Sequence, residues 1–149
     1  MADALQNYVD GKWVAKDLVR ALKLYKEACD AGDLQGCSKV ASMYERGEGT
    51  SRDMKAALAL YAKTCQGGNS VDCYQVGRQQ RSGQYIPRDP KQGSVHIKKA
   101  CDGGVASACF ELAQMTELGD AVAKDVALAL SLYQKACKAG EARACAKTK

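Results

Sequence analysis

Apolar residues recur along this chain in short stripes at helical spacing, each stripe closed by glycine. Between Gln35 and Arg46, Val40, Ala41 and Tyr44 lie within one turn of each other and mark one face of a helix. Gly47 follows and supplies the positive φ of a helix end. After Glu48 to Arg52 comes Asp53, whose carboxylate suits the free N–H groups of a following helix start. That second helix, Met54 to about Gln66, sets Ala57, Leu58, Tyr61 and Cys65 on one side. In a later copy Pro90 follows Asp89, at the first helical position, where no N–H is needed.

The same design returns every 36 residues without insertion or deletion. Asp17, Asp53, Asp89 and Asp125 share one register, and Gly11, Gly47, Gly83 and Gly119 another. Tyr25, Tyr61 and Tyr133 recur with Ile97 in the remaining slot; Leu22, Leu58 and Leu130 recur with Ser94. Neither helix of a pair carries enough apolar face to stand alone, so stacked pairs must share a continuous core. The 149 residues therefore predict one all-α domain, a right-handed α/α superhelix or solenoid. It has a partial first pair at about 1–33, repeats at 34–69, 70–105 and 106–141, and a terminal helical stub at 142–149.

Eight cysteines keep the same beat, as Cys29, Cys37, Cys65, Cys73, Cys101, Cys109, Cys137 and Cys145. Cys65 falls in the last turn of one helix and Cys73 in the first turns of the next, with a Gly67-Gly68-Asn69 turn between them. A reversal there brings the two α-carbons within disulfide range, and the other cysteines repeat the arrangement. The rival readings are structural zinc and buried free thiols. Zinc sites favour closer cysteine spacing with a second pair nearby, and the chain has one histidine. Free thiols do not require matched partners. Disulfides imply an oxidising compartment: secreted, periplasmic, or alternatively the mitochondrial intermembrane space. Met1 to Gly11 lacks a basic start and an apolar run, and Met1 sits 36 residues before Cys37; we expect an initiator methionine on a trimmed form. No transmembrane segment is expected.

The stretch GCSKVASMYERGEGTSRDMKAALALYAKTCQGGN is similar to the Sel1-like repeat, a relative of the tetratricopeptide repeat. With cysteine at both flanks it resembles the cysteine-rich, disulfide-bridged subfamily of Helicobacter proteins. The resemblance implies an adaptor that binds a protein or peptide on its concave face. It also implies two alternatives: a penicillin-binding protein with weak β-lactamase activity, and a mitochondrial assembly factor that binds a small cofactor such as haem. The β-lactamase motifs Ser-x-x-Lys, Ser-Asp-Asn and Lys-Thr-Gly are absent from the sequence. Ser94 and Ser131 have Lys98 and Lys135 four residues on, with no second base in view. No catalytic residue, metal ligand or cofactor is assigned.

By analogy with tetratricopeptide arrays, the first helix of each pair lines the concave side. Its variable positions carry interface-type residues: Tyr74, Arg78, Arg81, Phe110 and Met115 are the candidate contacts. His96 stands where Leu24, Leu60 and Leu132 stand, and reads as a satisfied, partly buried histidine. Trp13 and Tyr85 share a loop register and either cover the array or stack on a ligand. Gly93, Ser94 and His96 are expected to weaken the second helix of their pair. The formal charge of +5 is mild, and lysines alternate with acidic residues, which argues against nucleic acid. The expected chain is a monomer with a protein or peptide partner.

Overall fold

Asp53, Asp89 and Asp125 each open a helix by accepting a backbone N–H: from Ala56 at 3.0 Å, Gln92 at 3.1 Å and Leu128 at 2.9 Å. Gly47, Gly83 and Gly119 each close one in the left-handed region, with φ of 69°, 71° and 73°. The computed structural model describes residues 15–149, and every regular element among them is an α-helix. These residues fall into two compact units, one ending at Gly67 and the other spanning Gly68–Lys149.

The first unit holds α1 (Ala15–Asp30), α2 (Leu34–Arg46) and α3 (Met54–Gln66). Ala21, Leu22 and Tyr25 of α1 pack against Val40 and Met43 of α2, with Tyr44 and Leu60 at the edge of this core. The Tyr61 hydroxyl donates to Glu45 at 2.8 Å and ties α3 to α2. Asp17 differs from its register mates. It lies in the first turn of α1 instead of capping it, where its charge still favours the helix N-terminus.

The second unit holds α4 (Ser70–Ser82), α5 (Pro90–Asp102), α6 (Ala106–Leu118), α7 (Val126–Lys138) and α8 (Ala142–Ala146). Its core includes Val76, Ile97, Ala100, Leu112, Ala113, Met115, Ala129 and Tyr133. The Tyr133 hydroxyl donates to Glu117 at 3.2 Å, the same tie that joins Tyr61 to Glu45. Helix α5, which carries Gly93, Ser94 and His96, runs 13 unbroken residues, as α3 and α7 do. Gly93 sits against the α4 backbone, and the Ser94 hydroxyl donates to the Lys91 carbonyl at 2.6 Å.

Disulfides Cys29–Cys37, Cys101–Cys109 and Cys137–Cys145 each join the end of one helix to the start of the next, with Cα separations of 4.5, 4.5 and 4.7 Å. Cys65 and Cys73 are disulfide-bonded as well, and no cysteine is a free thiol. Among the described residues no helix is long and apolar enough to cross a membrane. Trp13 lies outside the described residues.

Candidate interaction face

The second unit presents the first helices of its pairs, α4 and α6, together with the short α8. Just after its cysteine, each longer helix carries an aromatic residue: Tyr74 on α4 and Phe110 on α6. Their surroundings differ. Tyr74 is half-buried, with the Arg78 guanidinium over its ring at 5.0 Å. Its hydroxyl lies near the Glu111 carboxylate. Burial foremost, then that carboxylate, push the phenol up to about 12, against the opposing pull of Arg78 and Arg143.

Phe110 is only 6% exposed, because Arg143 of α8 lies over its ring at 4.3 Å and Tyr133 packs beside it at 5.7 Å. Arg143 is in turn held by Glu141 at 2.7 Å. Met115 is fully buried among core side chains. Both are corrections to the expected contact surface. Residue type suggested binding, but their registers point inward, and Arg143 is the side chain that the Phe110 position shows to solvent.

Arg81 is also placed differently from an open contact. It donates to Glu111 and to Asp120, each at 2.8 Å. Burial alone would lower its pKa, but the bonds to Asp120 and Glu111 hold it above the ordinary arginine value. The sequence register explains the role. Arg81 stands where Glu45 and Glu117 accept from tyrosines, and Ile97 replaces the tyrosine that would have donated. Glutamate and tyrosine are thus replaced together in one pair, and the new cation reaches forward to the next helix. It is a positioning residue.

Arg78 is left with neutral partners, the Tyr74 ring and Gln75 Oε1 at 2.6 Å. Arg88 donates its Nε to the Arg81 carbonyl at 3.1 Å. Sequence reasoning missed Arg88, which sits in a loop without helical periodicity. Arg78, Arg81, Ser82, Arg88, Glu111 and Asp120 line an open cleft of about 320 Å³. Three guanidinium groups face two carboxylates there, so the cleft favours an anionic group.

The remaining candidates are locally satisfied. His96 Nδ1 lies 2.6 Å from Gln80 Oε1, and burial chiefly, with the Lys99 charge, lowers its pKa. The Gln80 oxygen accepts, which assigns the proton to Nδ1. Ser94 and Ser131 donate to helix carbonyls, while Lys98 pairs with Asp102 at 3.0 Å. No serine–lysine pair forms. Tyr85 accepts from Gln84 at 3.2 Å in its loop.

The family model described as Sel1 repeat matches the chain four times, at residues 1–33, 34–69, 71–105 and 106–141. A Sel1 repeat protein from Oxalobacter formigenes is similar at 26% identity and a TM-score of 0.84, over 97% of this chain and 59% of that one. The Helicobacter pylori cysteine rich protein B is 25% identical with a TM-score of 0.69, covering 91% of this chain and 98% of its own. The c5321 protective antigen of uropathogenic Escherichia coli shares the fold at 24% identity, with a TM-score of 0.84 over 98% of this chain and 32% of the antigen. The chain thus spans less than two thirds of the length of the Oxalobacter and Escherichia proteins. No curated protein matches it.

Proposed function

The chain belongs to the Sel1 repeat family, and from that membership we propose a binding scaffold whose α4–α6–α8 face takes an acidic segment of a partner protein. Sel1 repeats generally mediate protein–protein interactions, so the question is which surface of this chain does so. Arg78 carries the reading. Its guanidinium is ordered over Tyr74, is held by a neutral group, and borders a cleft shared with Arg88. A carboxylate entering that cleft gains forked, charge-assisted hydrogen bonds that water alone does not match.

The mechanism is recognition without bond-making. Arg81, clamped by Glu111 and Asp120, holds α4 against α6 and the following loop. Fixed helices lower the ordering cost that binding otherwise carries. The reading keeps the expectation that the first helices form the concave, contacting side. The disulfides support an oxidising setting, so the proposed location is extracytoplasmic, either secreted or periplasmic.

The test is fluorescence anisotropy with a labelled peptide of alternating glutamate and glycine. Affinity is expected to fall about tenfold in an R78A/R88A variant and to weaken with added salt. Neither arginine is part of the apolar core, so the variant retains its fold. Failure of the peptide to bind, or equal binding by the variant, overturns the reading.

A further inference from the structure

A second cavity lies away from the arginine cleft, at the junction of α5, α6 and α7. Its volume is about 430 Å³, and its walls are mostly apolar: Leu112, Val122, Leu128 and Leu132, with Thr116 on the floor and Lys98 and Asp102 at the rim. Leu128 remains 48% exposed there. Thr116 donates its hydroxyl to the Leu112 carbonyl at 2.7 Å, so the floor presents a methyl group and a satisfied oxygen.

The internal repeat explains why the cavity exists. Subtracting two periods from Lys98, Asp102, Leu112, Thr116 and Leu132 gives Lys26, Asp30, Val40, Tyr44 and Leu60. Those five residues, with Cys29, line a smaller groove of about 310 Å³ in the first unit. There the Tyr44 ring packs against the core formed by Leu22, Tyr25, Val40 and Met43. The Lys26 ammonium caps that ring at 5.3 Å. In the second unit threonine stands in place of the tyrosine, while the lysine, the acid and the leucine at 60 and 132 are kept, and Leu112 and Leu128 stand for Val40 and Ala56. The ring is gone and the wall around its place is more apolar.

We propose that the α5–α6–α7 groove receives an aromatic side chain from a partner polypeptide, in the place that Tyr44 fills for itself in the first unit. Two features select an aromatic guest over an aliphatic one. The groove is larger than its first-unit counterpart, about 430 against 310 Å³, where the Tyr44 ring takes up part of the space. Lys98 at the rim offers the cation–π contact that Lys26 makes with Tyr44, which an aliphatic chain cannot use. The groove is separate from the arginine cleft, and the inference stands without it.

The test uses two-dimensional amide NMR on the intact oxidised chain, with Ac-Gly-Tyr-Gly-NH2 as the probe, Ac-Gly-Ala-Gly-NH2 as its control, and free p-cresol as a third arm. The tyrosine peptide is expected to give saturable shifts at Leu112, Thr116, Leu128 and Leu132, and the alanine peptide none. T116Y fills the groove from within and is expected to abolish those shifts. L128K, at an exposed wall position that folding does not need, is expected to weaken binding about tenfold. Y44T is expected to create a second set of shifts around Val40 and Leu60. Shifts that persist at full strength in both T116Y and L128K overturn the site. Binding of p-cresol without binding of the tyrosine peptide overturns the polypeptide occupant.

Discussion

Gly93 faces Gly77 so closely that a Cβ on Gly93 would stand 2.9 Å from the Gly77 carbonyl oxygen. In return, a Cβ on Gly77 would meet Ile97 Cγ1 at 2.8 Å. The neighbouring pairs hold buried alanines at these registers, Ala41 with Ala57 and Ala113 with Ala129. Helices α4 and α5 have therefore given up two methyl groups for closer backbone contact.

Gly93→Ala is accordingly expected to destabilise the chain. Alanine improves helix propensity by about 1 kcal/mol, whereas overpacking against backbone costs about 1–3 kcal/mol. The neighbouring atoms are carbonyl and amide groups that cannot turn aside. A net loss in urea unfolding checks this; a gain would show that α4 and α5 separate freely.

Arg81→Lys tests the clamp. A lysine reaches one carboxylate where the guanidinium reaches two, so about 1 kcal/mol of stability is expected to be lost at these partly exposed groups. A double-mutant cycle with Glu111→Gln measures the coupling. If the single and double variants are additive, the bond to Glu111 contributes nothing measurable.

Tyr74 gives an optical readout. Its folded pKa of about 12 lies above the ordinary 10.0, so its contribution to stability is present below pH 10 and is lost as pH rises from about 10 to about 12. Tyrosinate absorbance is expected to show a late-titrating phenol, and Glu111→Gln to bring it earlier. Burial remains in that variant, so the phenol is not expected to return fully to its ordinary value.

His96 works in the opposite direction. Its pKa is lowered in the folded chain from the ordinary 6.5, so the unfolded chain takes up the proton first as pH falls. Stability is therefore expected to be level above about pH 7 and to decline below 6.5. The double variant H96L/Q80Y, which restores the residues of the 34–69 repeat, is expected to remove that decline. Denaturant midpoints across pH 5 to 8, compared between the two chains, decide the matter.

The repeating framework was legible because it rests on backbone needs that few residues meet. Asp53 at a cap, Gly47 at a left-handed helix end and Cys101 opposite Cys109 each have a register and a physical reason. The helix bounds at Met54–Gln66 and Ala142 follow from these. The interaction face was legible only in part, since a residue type says nothing of its partners. Arg81 reads as a free cation until Glu111 and Asp120 are seen around it, and Met115 reads as an interface residue until its burial is known. The groove at Thr116 escaped notice for a related reason. A missing ring leaves no motif, and its meaning appears only when Tyr44 is set beside it with Lys26 above.

Each described bridge spans eight residues of sequence, and the next cysteine beyond, as from Cys37 to Cys65, is 28 residues away. Chain-closure entropy favours the nearer thiol by about 1 kcal/mol before any tertiary contact forms. The correct partner is also the first one synthesised. Oxidation can therefore proceed behind the growing end, one turn at a time, and a mispaired chain must pass over a closer thiol to arise. The pairing code is written in proximity along the chain, which favours the native partner over the next one about fivefold.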